Sequence, residues 1–109
     1  MLSERFKAFC QSYGSALELW FEPGKFLVSE AGYFLAQVNV LKQTTATVFA
    51  GLNTGLNHLI RPMFYDAYHH IDNLSNPDGP LKDYAVVGLI CETDTFAWGR
   101  PITEIREGD

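Results

Sequence analysis

The sequence predicts a mainly β (α+β) chain that opens on a single helix. Three observations carry this. An apolar stripe at three- and four-residue spacing occurs near the start, over residues 3 to 13. From Tyr33 onward the pattern changes to alternation and β-branched runs, the signature of strands. Turn-forming residues cluster between those runs, from Asp72 to Pro80.

The first helix is predicted from Leu2, Phe6, Phe9, Cys10 and Tyr13, which share one face. Ser3 suits its N-cap, Glu4 its first turn and Gly14 its stop. Leu17-Glu18-Leu19-Trp20-Phe21 reads as a buried strand ended by Pro23-Gly24. A helix followed by such a strand is the grammar of an α/β unit. Tyr33 to Lys42 alternates, with Phe34, Ala36, Val38 and Val40 on one face and Gln37 and Asn39 opposite. A long half-buried strand is expected there. Thr44 to Phe49 is rich in β-branched residues and either continues or pairs with it. Asp72 to Pro80 is a surface loop, and Tyr84 to Ile90 a further strand with Gly88 as a candidate bulge. Glu107-Gly108-Asp109 reads as a turn that should feed another strand. The start is as abrupt as the end, and both predict a piece of a larger protein.

With 109 residues, 47% hydrophobic and 14% aromatic, the chain has material for one small domain. No apolar run approaches the roughly 20 residues that span a bilayer. The N-terminus lacks a signal-peptide stretch. A cytoplasmic, soluble protein with no membrane partner is expected. Net charge is -5 and the basic residues are scattered, so no nucleic-acid footprint exists. Cys10 and Cys91 lack the paired spacing of a disulfide framework or a zinc site. Cys10 reads as a small buried helix residue. His69-His70 would face different ways on any regular element and lacks a third ligand, so no metal is expected. Asp66, Tyr68 and Trp98 read as structural.

Three polar outcrops interrupt the apolar runs. Glu22-Pro23-Gly24-Lys25 puts a carboxylate at a predicted strand end, where α/β enzymes hold ligands. Proline fixes that turn, and glycine lets backbone approach a ligand. Alone, it suits an ordinary strand-ending turn with a solvated Lys25 better, since Pro-Gly turns are common. Arg61-Pro62-Met63-Phe64-Tyr65 follows the polar run Asn53 to Asn57. Pro62 biases Arg61 to an extended backbone, from which its fork can bind a carboxylate or phosphate. A surface arginine in a structural ion pair is the alternative. Cys91-Glu92 follows an apolar strand. A thiol there can move a proton, and a carboxylate can hold an ammonium group. A buried cysteine beside a surface glutamate is the alternative.

Taken together and in order, Glu22 to Lys25, Leu56 to Tyr65 and Cys91 to Asp94 resemble the C-terminal part of diaminopimelate decarboxylases. These are fold-type III pyridoxal-phosphate enzymes of lysine biosynthesis. The family pattern runs Glu-Pro-Gly-Arg, then Met-Asn-x-Leu-Ile-Arg-Pro-x-x-Tyr, then Cys-Glu-x-x-Asp. Each motif is weak alone, but the ordered set is specific and covers nearly the whole chain. The resemblance implies a β-barrel or sandwich-like C-terminal domain over residues 29–109. Before it, residues 1–28 would be the last helix and strand of a (β/α)8 barrel.

The resemblance also implies roles. Glu22, with Pro23, Gly24 and Lys25, would contact pyridoxal 5'-phosphate, Glu22 at the pyridine nitrogen. Lys25 stands where the family has arginine, which contacts cofactor phosphate or substrate carboxylate; lysine keeps the charge and loses the fork. Arg61 and Tyr65 would hold a substrate carboxylate. Cys91 would protonate the carbon that lost carbon dioxide, and Glu92 would bind the distal ammonium of an amino-acid substrate. A homodimer sharing its active site between subunits is implied. The lysine that carries the cofactor lies far upstream in the family, and none of Lys7, Lys25, Lys42 or Lys82 matches it. The glycine-rich phosphate loop and a final tyrosine-bearing stretch are also missing, and Asn53 stands where the family often has aspartate. The chain alone is therefore expected to be inactive and to self-associate through bare surfaces. A related ornithine, arginine or carboxynorspermidine decarboxylase, or a non-enzymatic β-rich binding module, are the other readings.

Overall fold

The computed structural model describes residues 1–109 and divides them into two compact units, Met1–Phe34 and Leu35–Asp109. In the first unit the expected helix forms as α1, Leu2–Tyr13. Gly14 ends it in the left-handed region (φ 79°) and donates its N–H to Cys10 O at 3.0 Å. Only glycine adopts that φ at no steric cost, so the stop is encoded locally. Ser3 does not cap the start. Met1 occupies the N-cap without a side-chain bond, and its amino group pairs with Glu4 at 2.9 Å. Cys10 is half-buried rather than buried.

The strand expected at Leu17–Phe21 does not form. Those residues are irregular, and Trp20 is 83% exposed. A strand exists only through hydrogen bonds to a neighbour, and the first unit contains no other strand to supply them. After Pro23 comes α2, the short helix Gly24–Val28.

The second unit is built on β1 (Val38–Gln43), β2 (Val48–Leu52), β3 (Leu81–Val87) and β4 (Thr95–Thr103). Between β2 and β3 lies the five-residue helix α3, Arg61–Tyr65. The strands form one open mixed sheet in the order β1-β2-β3-β4. The expectation of a mainly β domain holds, but the sheet does not close into a barrel. Thr44 to Phe49 resolves into a turn and the start of β2. Thr44 donates its N–H to Thr47 O at 2.9 Å, and its hydroxyl oxygen accepts the Thr47 N–H at 3.0 Å. β1 and β2 are therefore an antiparallel hairpin.

β1 begins at Val38, not Tyr33, and a bulge between Val38 and Val40 shifts its register. The extra residue turns the alternation over. Val38 and Leu41 face the core, while Val40 is half exposed and lies over Gly51. β4 was not legible in the sequence, because Gly99-Arg100-Pro101 interrupts it. It is an edge strand, where a proline's missing N–H costs no ladder bond.

The core joins Val38, Ala50, Tyr84, Val86, Phe96, Ala97, Ile102 and Ile105. The one buried hydroxyl among them, on Tyr84, accepts the Ile105 N–H at 3.0 Å. That bond pins the chain after β4 to the middle of β3. The final residues then reach the free edge of β1, where Val38 donates to Asp109 O and accepts from Gly108 N–H, both at 2.8 Å.

Candidate active site

β2 and β3 run parallel, with Gly51 opposite Val87. Their C-terminal ends therefore lie side by side. A parallel pair requires a long crossover, and residues 53–80 supply it. Two segments leave this shared end: Asn53–Leu56, which leads into α3, and Gly88–Asp94, which returns as β4. The topology alone thus brings the second and third polar outcrops to one end of the sheet. Ligands in parallel sheets are held beyond that end of the strands.

Arg61 is not extended, as the proline rule predicted. It is the first residue of α3, with Pro62 in the first turn. A helix tolerates proline there, because first-turn N–H groups have no internal partner. The consequence for the site is favourable. Residues four apart share a helix face, and the Arg61 guanidinium lies 5.4 Å from the Tyr65 ring centroid. The ring buttresses the cation. Arg61 enters none of the ion pairs. Asp66 ends the turn at φ 49°, with its N–H on Arg61 O.

β3 ends at Val87, three residues before the expected Ile90. The reason is a change of partner. Gly88 donates to Asp94 O at 2.7 Å and Leu89 to Thr54 O at 3.0 Å, so both N–H groups leave the sheet ladder. Cys91 and Glu92 then sit exposed in the bend that follows. Neither is held on a strand face, so alternation does not force them apart. Cys91 is a free thiol.

The sequence reading gave Asp94 no role, yet it organises this end of the sheet. It is 5% exposed. Its Oδ1 accepts the Leu56 N–H at 2.8 Å and its Oδ2 the Ile90 N–H at 2.9 Å. One carboxylate therefore bonds both site segments. Gly55 and Gly88 flank it, and a Cβ on either would collide with Oδ2. Gly88 thus serves close approach rather than the bulge expected of it. Thr54, also buried, places its hydroxyl 2.8 Å from His58 Nδ1. The two glycines and the aspartate were the available signal, but their relation is set by topology, not by spacing.

His69 and His70 form no metal cluster with neighbouring residues. The His69 carbonyl accepts from Arg100 Nη1 at 3.0 Å, and Arg100 stacks 4.2 Å from the Tyr68 ring centroid. Tyr68 thus buttresses the Arg100 guanidinium. In the first unit, Glu22 and Lys25 flank the Pro23-Gly24 turn, where Gly24 donates to Glu22 O at 2.9 Å. Neither side chain enters an ion pair.

A family model described as the C-terminal sheet domain of pyridoxal-dependent decarboxylases matches residues 25–109. The chain belongs to this decarboxylase family. It is 43% identical over 90 residues to a diaminopimelate decarboxylase of Methanothermobacter thermautotrophicus, covering 81% of this chain and 21% of that protein. A crystal structure of diaminopimelate decarboxylase superposes with a TM-score of 0.75 and 31% identity, covering 91% of this chain and 27% of that one. The Helicobacter pylori enzyme complexed with L-lysine gives 0.60 and 31%, over 68% of this chain and 18% of that one. The chain thus spans less than a third of each of these proteins.

The residues present fit one edge of the cofactor that the family's description implies. Glu22 is an exposed carboxylate with no ion-pair partner, suited to a protonated ring nitrogen. A Cβ at Gly24 would meet nothing within 4 Å, so the turn is open to a planar group. No helix of the chain is long and apolar enough to cross a membrane.

Proposed function

We propose that this chain is the C-terminal part of a diaminopimelate decarboxylase. The full protein would convert meso-2,6-diaminopimelate to L-lysine and carbon dioxide with pyridoxal 5'-phosphate. The observation that carries this is the sheet domain itself, in which Asp94 bonds the Leu56 segment that leads to Arg61–Tyr65 and the Ile90 segment that leads to Cys91–Glu92. The names of the relatives support the same reaction. So does L-lysine in the Helicobacter pylori structure, since lysine is the product.

When bound, the cofactor supplies an electron sink for the carbon–carbon bond that breaks. Glu22 holds the ring nitrogen in its protonated form, with Pro23 and Gly24 fixing the turn. Lys25 offers a single cationic contact to the cofactor phosphate or a substrate carboxylate. Arg61 and Tyr65 hold a substrate carboxylate, Arg61 with two parallel N–H groups. Glu92 binds the distal ammonium. Cys91 delivers a proton to the carbon from which carbon dioxide has left, so the departing carboxylate is replaced by hydrogen. Residues 1–28 would complete the cofactor barrel and residues 29–109 form the sheet domain. The working enzyme would be a cytoplasmic homodimer, each site built from both subunits. The isolated chain is inactive on this reading, because the lysine that carries the cofactor is supplied by the barrel.

The test is the full-length protein, supplied with the cofactor and offered diaminopimelate, ornithine, arginine and carboxynorspermidine in turn. Lysine from diaminopimelate is expected. Turnover of one of the others with no lysine formed would reject the substrate, and no turnover of any would favour a binding module. Size measurement of the full-length protein reads the dimer separately.

A further inference from the structure

We infer that Phe64 is a specificity-determining residue beside the Arg61–Tyr65 clamp. Its exposed ring keeps water from the guanidinium and packs against the carbon chain of the amino acid whose carboxylate Arg61 holds. The inference rests on the proposed carboxylate role of Arg61 and Tyr65, and it uses no other part of the site.

The five residues of α3 divide between two faces. Pro62 is buried and Met63 packs against the sheet core. Phe64 and Tyr65 are 71% and 67% exposed, and Arg61 is half-buried. Phe64 belongs to no part of the core, so folding of the sheet does not account for its ring. Nor is it an isolated surface residue. Its ring centroid lies 6.1 Å from that of Tyr65, tilted by 59°, and Tyr65 in turn lies under the Arg61 guanidinium. Side chains of a helix lean toward its N-terminus, and residues three and four apart share a face. Phe64 and Tyr65 are the two residues so related to Arg61, so both rings lie on the side of the cation. An apolar group clustered with an unpaired cation in solvent marks a binding surface for a ligand that is anionic at one end and aliphatic beyond it. A guanidinium–carboxylate pair in open water is worth little, and it strengthens as water is excluded. Tyr65 covers the guanidinium face. Phe64 has no polar atom to compete for the guanidinium donors. An amino acid brings its carboxylate with methylene groups attached, and the Phe64 ring is the apolar surface beside the clamp that those groups can cover.

Two variants of the full-length holoenzyme test this, Phe64→Ala and Phe64→Leu, each with the amino acid that the parent turns over. Phe64→Ala should raise KM about tenfold and keep kcat within about twofold, because the contact is made equally in the ground and transition states. Phe64→Leu keeps the apolar bulk and should hold KM within about threefold of the parent. Raising salt from about 0.05 M to about 0.5 M should increase KM more steeply in Phe64→Ala than in the parent, since a bared ion pair is screened. A residue that only supports the fold would not move KM and its salt slope while sparing kcat. An unchanged KM in Phe64→Ala, a KM in Phe64→Leu as high as in Phe64→Ala, or equal salt slopes would each overturn the inference. A lower urea midpoint or lost cofactor in Phe64→Ala with KM unmoved would make Phe64 a packing residue of the parent and overturn it as well. A parent that turns over none of the four amino acids would reject the proposed function, and this inference would fall with it.

Discussion

The two units of this chain treat their apolar runs in opposite ways. Leu17–Phe21 carries as strong a strand signal as Thr44–Phe49 or Tyr84–Ile90, yet only the latter two contribute strands. The difference is the partner. Residues 35–109 contain four segments that satisfy one another's backbone groups, and residues 1–34 contain one such segment by itself. Strand character is a property of a pair, so a buried-strand pattern predicts a structure only where its neighbour is present. The same division runs through the candidate site. Arg61 and Tyr65 lie on a short helix, and Cys91 and Glu92 in a bend, of segments that leave paired strands, whereas Glu22 and Lys25 flank a turn held by local bonds.

The contrast is sharpest in the core. Ile102→Ala removes a side chain that is 2% exposed in the sheet core and should cost about 2–5 kcal/mol, read as a lower urea midpoint at unchanged slope. Leu19→Ala, at 43% exposure in the first unit, should move the same midpoint by less than about 0.5 kcal/mol. Equal losses would mean that Leu19 is packed and would break the comparison. Asp94→Ala comes next. It strands two backbone N–H groups that now bond a buried carboxylate, and about 2–4 kcal/mol should be lost. Tyr84→Phe removes only the acceptor of the Ile105 N–H and should cost about 1–2 kcal/mol. In that variant the segment after β4 should show faster amide exchange before the strands do.

What the sequence made legible was local. Gly14 as a helix stop and the loop from Asp72 to Pro80 each follow from the chemistry of a few adjacent residues. What it hid was relational. The bulge at Val38–Val40 inverts an alternation that reads as perfect, and nothing in Val-Asn-Val announces it. β4 was hidden because Gly99 and Pro101 signal a turn, and only its place at the sheet edge makes them tolerable. The site follows the same rule. Pro62 pointed to an extended Arg61, and only the helical backbone puts Arg61 and Tyr65 on a shared face. Asp94 stood at the end of a motif with no assigned task, because its partners Leu56 and Ile90 meet only through the parallel pairing of β2 and β3.

The smallest effect separates the sheet's surface from its core by pH. Glu104 is held below its ordinary value of 4.5, first by the hydrogen bond from Lys82 and then by that ammonium's charge. Asp109 is held below 3.8, first by the Asn73 side-chain amide and then by the Arg106 N–H. A carboxylate whose pKa is lower when folded stabilises the fold above its unfolded value and loses that contribution as pH falls through the folded one. Lys82 is raised above 10.5 by the same bond to Glu104, so its contribution is complete below that value and fades as pH rises through the folded one. The urea midpoint should therefore be level from about pH 5 to pH 10 and decline on both sides. Glu104→Gln should flatten the alkaline decline and part of the acid one, and Asn73→Ala should flatten a further part of the acid decline. Both pairs face solvent, so the changes should be small and should shrink further in high salt. An acid decline left undiminished by both substitutions would place the responsible carboxylate elsewhere in the sheet.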